Sequence, residues 1–294
     1  MYVGHSSHAI SEVSTLQNLY LDPLLTVLEH ANTNRAIDEP LKGVYDDEPM
    51  RSVILLLDFK DVPSREMWDV VLSAVRPLME KGFLTFWSAN DHDCDGSCEY
   101  DTHNTTTNNT TTTMPRNNGT TTFTSSLDSK TIRTNSPLTG SGTLHVRPLT
   151  LVGTGSTSFP FILHASPSTS HRYIFMDAPL LDLLPHNTLN KYDYDTSTTF
   201  SASVAFHHPL ITLNNPLPPI LGFLTNPQRT RIRTLIKAAE KRGLKSRFWG
   251  IKGLPVCRRR VWRVLVEEGV GLLVVDEIGA VAGGWRAWGW KWVW

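Results

Sequence analysis

An apolar run, Val53-Ile54-Leu55-Leu56-Leu57, leads directly into Asp58-Phe59-Lys60. Its composition and length predict a buried strand. A carboxylate and an ammonium two residues apart point to the same side of a strand. At the strand's C-terminal end they would face the mouth of an α/β barrel, where such folds keep their chemistry. A metal-bound phosphodiester uses such a pair: an anionic oxygen for the cation and a fixed positive charge for the phosphate. The same two residues also read as a plain ion pair at a strand end.

Other candidate groups close the later strands. Residues 146–152 read as a strand followed by Gly153-Thr154-Gly155, where glycine amides could approach a phosphate or simply make a tight turn. Tyr173-Ile174-Phe175-Met176 reads as a strand ended by Asp177, either a group at the barrel mouth or a cap for a helix over 178–184. Gly271-Leu272-Leu273-Val274-Val275 reads as the last strand, ended by Asp276.

The elements that must position these residues alternate in type. A helix is expected within 14–31, interrupted at Pro23, and another over 64–81 with Ser64 as cap and Gly82 as stop. A short strand or extended segment is expected at 83–87, and short strands at 200–206 with small residues in alternation and around 246–250. Asn226-Pro227 opens a helix that Gly243 closes, and a second helix over 256–268 stops at Gly269. The first of these two carries Arg229, Arg231, Arg233, Lys237 and Lys241, which read as a solvated face or as a patch for anionic membrane. Alternation of this kind implies a parallel sheet with right-handed crossovers.

Residues 91–143 differ in kind. They are rich in Thr, Asn, Gly and Ser, which cannot bury enough apolar area to offset chain entropy, so a disordered surface insertion is expected. Its four Asn-x-Thr sequons (Asn104, Asn108, Asn109, Asn118) are expected by chance in such a tract. Cys94 and Cys98 lie near His92 and His103 and could hold zinc or a disulfide, although a polar loop explains them better.

The 294 residues carry 28 Lys and Arg against 28 Asp and Glu, so bulk charge favours no nucleic acid, and none is expected as a partner. No stretch approaches the ~18 apolar residues of a membrane span. No targeting segment is read, and the compartment is left open. Residues 285–294 hold five of the nine tryptophans, a composition suited to peripheral membrane contact or to packing on the domain.

Taken with Met1-Tyr2-Val3-Gly4-His5-Ser6, Ser14 to Leu24, Arg147 to Gly155 and Ile174 to Pro179, the Leu57-to-Lys60 segment resembles the glycerophosphodiester phosphodiesterase superfamily. Within it, the likeness is to the altered inheritance of mitochondria protein 6 group, over about residues 3–90 and 145–284. The resemblance implies a PLC-like phosphodiesterase (β/α)8 TIM barrel over residues 1–284, with a divalent cation, magnesium or calcium. It implies His5 as general acid/base, Asp58 as metal ligand, Lys60 as phosphate contact and Trp249 as an aromatic wall. Gly153, Asp177 and Asp276 are further expected substrate contacts. The implied activity is metal-dependent cleavage of glycerol- or lipid-type phosphodiesters.

One departure shapes the expectation. Such members carry a first histidine and a Glu-x-Asp pair ahead of the Gly-His motif, and this sequence opens at Gly4-His5. An N-terminally shortened, incomplete barrel is therefore expected, lacking its first one or two strands. About six core strands remain from Ser52 onward, with open parallel edges at 53–58 and 271–275. An oxygen-loving cation takes about six or more ligands. The alternative is a catalytically degenerate barrel that binds phospholipid headgroups or a protein partner.

Overall fold

The computed structural model describes residues 2–4, 12–36, 38–89, 131–136, 140–164, 171–185, 192–275 and 279, with backbone alone for 131–136, 140 and 164. The described residues form ten strands: β1 (Val53–Phe59), β2 (Phe86–Ala89), β3 (Thr131–Ser136), β4 (Gly140–His145), β5 (Leu149–Gly155), β6 (His171–Arg172), β7 (Ile174–Pro179), β8 (Thr199–Ala205), β9 (Lys245–Trp249) and β10 (Leu272–Leu273). Their helices are α1 (Asp22–Asn32), α2 (Arg65–Glu80), α3 (Phe159–His164), α4 (Pro209–Thr212), α5 (Leu217–Ile220), α6 (Asn226–Glu240) and α7 (Pro255–Glu267).

Six strands run parallel in the order β1-β5-β7-β8-β9-β10, curled into a half-barrel. β1 and β10 are its two edges, as expected for an incomplete barrel. On the outer face, Leu57 and Phe59 of β1 pack against α2, with the Phe59 ring 5.8 Å from Trp68. Leu149, Leu151, Ile174, Met176, Ala202 and Phe248 continue this layer across the sheet. Burial on one face sends the alternate residues of each strand, Asp58 among them, to the inner face.

Local chemistry explains most helix ends. The Ser64 side chain accepts the Met67 amide at the start of α2, and Gly82 follows its end at φ +71°. Thr225 and Gln228 form a reciprocal capping box on α6, and Pro227 sits in its first turn. Pro23 does not break the early helix. It stands near the N-terminus of α1, where its missing amide costs nothing, and a single wide turn over Gln17–Leu21 leads in.

Several expectations need correction. The segment after α2 is extended, as expected, but does not run on within the parallel sheet. Leu84 makes one parallel bridge to Leu149, and the chain then leaves as β2 for a second, antiparallel sheet ordered β3-β4-β2-β6. Residues 91–143 are not all without structure, since β3 and the start of β4 lie among them and pair over six positions. Their threonines suit a pleated surface. Gly142, read as a sign of disorder, sits where a Cβ would fall 2.2 Å from the Trp87 ring, so its missing side chain permits the strand to cross. Trp87, Leu144 and Phe175 make a separate apolar cluster joining this sheet to the inner face. The strand expected at 146–152 lies at 149–155, and the last strand is only Leu272–Leu273. Cys94, Cys98, the sequons and the Trp-rich tail lie outside the described residues.

The basic face of α6 is neither free nor merely solvated. Arg229 and Arg233 both bond Glu268, whose side chain is 3% exposed, and Arg229 also reaches Glu267. Burial pushes the Glu268 carboxyl up, but hydrogen bonds from Arg233 and Arg229 outweigh it, and the net shift is below the ordinary value. The unfolded chain therefore binds this proton first as pH falls. The stabilisation is complete above about pH 4.5 and is lost as pH drops through the folded-state value. Glu268→Gln is expected to cost about 1–2 kcal/mol at pH 7 and to converge with the parent in acid. Thermal melts from pH 7 to pH 3 check this, and a gap that does not close in acid would refute it.

Candidate functional site

The C-terminal rim of β1 carries the charged pair. Lys60 Nζ donates to Asp58 Oδ2 at 2.5 Å, and both side chains are at least half exposed. Register places Asp58 beside Thr154 of β5, so both point to the inner face. The strand end is tied down from β5: the Ser156 amide donates to the Phe59 carbonyl at 2.7 Å, and the Ser156 hydroxyl donates to the Lys60 carbonyl at 2.9 Å.

Gly155 makes this closeness possible. Its φ is +71°, and a Cβ there would fall 2.3 Å from Asp58 Oδ1 and 2.4 Å from the Phe59 carbonyl. Gly153 is different. It lies inside β5 on the face shared with Leu151, and its position packs against the Thr157 side chain.

Asp177 does not end its strand and caps no helix. It lies within β7, and the 3-10 turn that follows, Leu180–Leu183, has Pro179 as its N-cap. Its side chain is 1% exposed. Oδ1 accepts from Ser201 Oγ at 2.6 Å. Oδ2 accepts from Thr154 at 2.9 Å, from Ser203 at 2.6 Å and from Arg247, its ion-pair partner. Arg247 also donates to Thr154 at 3.0 Å. Its Nε is buried with no hydrogen-bond partner.

These contacts run across four neighbouring strands. Thr154 sits on β5, Asp177 on β7, Ser201 and Ser203 on β8, and Arg247 on β9, all on the inner face. Two residues on from Arg247, Trp249 shares its face at the rim, 43% exposed, with the His207 ring edge-on at 6.1 Å. The structure thus brings Asp58, Lys60, Asp177 and Trp249 to one face and end of the sheet. His5 and Asp276 lie outside the described residues.

Sequence reasoning missed Arg247 and the two serines as members of this network. The signal was present: Ser201 and Ser203 alternate in β8, and a polar period of two within an otherwise buried strand marks a polar inner face.

Comparison with known proteins gives the class first. Residues 1–105, which include β1 and its Asp58–Lys60 pair, match the family model of the AIM6-like phosphodiesterase domain, so this part is phosphodiesterase-like. Over most of its length the chain is similar to proteins named altered inheritance of mitochondria protein 6. It is 26% identical over 96% of its length to the altered inheritance of mitochondria protein 6 homolog of Arthroderma benhamiae. It is 23% identical to altered inheritance of mitochondria protein 6 of Eremothecium gossypii over 96% of its length, and 22% identical to that of Lachancea thermotolerans over 95%. The matches span 70%, 59% and 55% of those three relatives. No solved structure matches the chain.

Proposed function

We propose that this chain takes a phosphoric diester at the C-terminal rim of the half-barrel, with Asp58 and Lys60 as the charged pair. The supporting observation is their placement: an exposed carboxylate and ammonium on the inner face, at the end of a parallel strand where α/β folds keep their sites. The match to a phosphodiesterase domain model supports phosphodiester cleavage as the reaction class, and the substrates proposed here are glycerol- or lipid-type diesters. In this reading the Lys60 ammonium meets the phosphate, Asp58 holds Lys60 in place until a diester arrives, and Trp249 walls the substrate. His5 is the proposed proton-transfer group, because displacement at phosphorus needs one proton taken and one returned.

Magnesium or calcium is proposed from the likeness alone. Among the described residues, no three His, Cys, Asp or Glu side chains converge as metal ligands. Both oxygens of Asp177 are committed to protein donors, which leaves Asp58 as the rim carboxylate on offer. Among the described residues that set does not fit a hard cation, which takes six or more oxygens. No step here is routed through one. The same commitment of Asp177 favours a second reading, diester binding without turnover.

Hydrolysis of bis(p-nitrophenyl) phosphate by the purified chain, with and without Mg2+, tests the first reading. Asp58→Asn and Lys60→Ala are expected to lower turnover about 10²-fold or more. Melting should hardly change, since exposed pairs contribute little. A parent with no turnover, whose diester binding is lost in Lys60→Ala, supports the second reading instead. Variants equal to the parent in both turnover and binding overturn both readings.

A further inference from the structure

We propose that the loops after β8 and β9 form one apolar foot that seats on an anionic phospholipid bilayer. Both loops leave the C-terminal end of the parallel sheet, the end that carries Asp58, Lys60 and Trp249. Leu217, Ile220, Leu221 and Phe223 of the first loop are 42–58% exposed. Leu254 and Val256 of the second are 69% and 47% exposed. Isolated exposed leucines are ordinary, but a contiguous group marks an interaction surface.

The two loops are in contact. A Cβ on Gly222 would fall 2.7 Å from Cys257 Cα, and one on Gly253 would fall 2.8 Å from the Ile220 carbonyl. Both glycines have positive φ, +84° and +118°, so the close approach depends on them. Pro218 and Pro219 are buried beneath the exposed side chains. Leu213 and Asn214, just upstream, are held at φ 53° and 60°, a left-handed backbone that a leucine adopts only when its surroundings impose it. The apolar groups therefore stand out from a braced platform.

Charge selects the occupant. Around the second loop, residues 251–260 hold Lys252, Arg258, Arg259 and Arg260 and no acid, whereas Arg229 and Arg233 of α6 are taken up by Glu267 and Glu268. Lys252 is exposed between Trp249 and Leu254. Apolar tips rimmed by cations suit an acyl–headgroup boundary with negative lipid. A bilayer held there would present headgroups to the rim. That consequence rests on the diester reading, whereas the docking itself does not.

The test is co-sedimentation of the full chain with phosphatidylcholine vesicles, with or without about 30% phosphatidylserine. The parent is expected to bind the anionic vesicles, less so at high salt. Leu217→Asp with Leu221→Asp, and separately Leu254→Asp, are expected to lower partitioning about tenfold or more with melting unchanged. Trp288→Ala with Trp290→Ala is expected to bind as the parent does. No binding by the parent overturns the proposal. So does loop-variant binding equal to the parent's. A parent dimer by light scattering that Leu254→Asp dissociates, without vesicle binding, identifies the surface as a self-association site and also overturns it. Partitioning is read without turnover and the loop variants keep Asp58 and Lys60, so its failure is distinct from a failure of bis(p-nitrophenyl) phosphate hydrolysis.

Discussion

Asp177→Ala is expected to be the most damaging single change at the inner face, costing about 3–5 kcal/mol. The carboxylate accepts from Thr154, Ser201, Ser203 and Arg247. Its loss leaves the Arg247 side chain, only 11% exposed, without its counter-charge, and three hydroxyls without their acceptor. An uncompensated buried charge accounts for most of the penalty, because water cannot reach it. Domains of this kind are stable by only about 5–15 kcal/mol, so the loss reads directly in a urea titration. Replacing both ends of the pair, Asp177→Ala with Arg247→Met, should recover most of it, since a matched apolar pair carries no buried charge. A single-variant loss under about 1 kcal/mol would show that the network does not carry this stability.

Gly155→Ala is the second large effect. The new methyl meets two obstacles that differ in kind. The Phe59 carbonyl, 2.4 Å away, is pinned by the Ser156 amide and cannot withdraw. The Asp58 carboxylate, 2.3 Å away, can rotate, but only by giving up its position beside Lys60. Left-handed backbone strain adds ~1–2 kcal/mol to an overpacking cost of ~1–3 kcal/mol. A double variant, Gly155→Ala with Asp58→Ala, removes only the side-chain obstacle. Denaturant unfolding should therefore show partial recovery. Full recovery, or no loss in the single variant, would refute the geometry.

Much of the local structure was legible in the sequence. Ser64 and Gly82 bound α2, Pro227 opens α6, and the Val53–Leu57 run is β1, because caps, prolines and apolar runs act through neighbouring residues. The Asp58–Lys60 pair was legible for the same reason: two residues along one strand share a face whatever surrounds them. Failures came where distant segments decide. Thr and Asn near residue 131 discouraged a strand, yet pairing with β4 supplies the hydrogen bonds that composition could not promise. Phe83 to Trp87 has the composition of a barrel strand, but Trp87 finds its cluster with Leu144 and Phe175 and draws the segment out of the barrel order.

The sequence by itself determined the alternation of strands and helices that makes a parallel sheet, and one charged pair at a strand end, since periodicity and punctuation are written in consecutive residues. The incomplete barrel was expected from the family resemblance. Only the tertiary structure decided the state of Asp177. Whether that carboxylate is free for a ligand depends on Thr154, Ser201, Ser203 and Arg247, 23, 24, 26 and 70 residues away. Register between parallel strands brings those donors to one height on the inner face, and no local rule of spacing encodes that convergence.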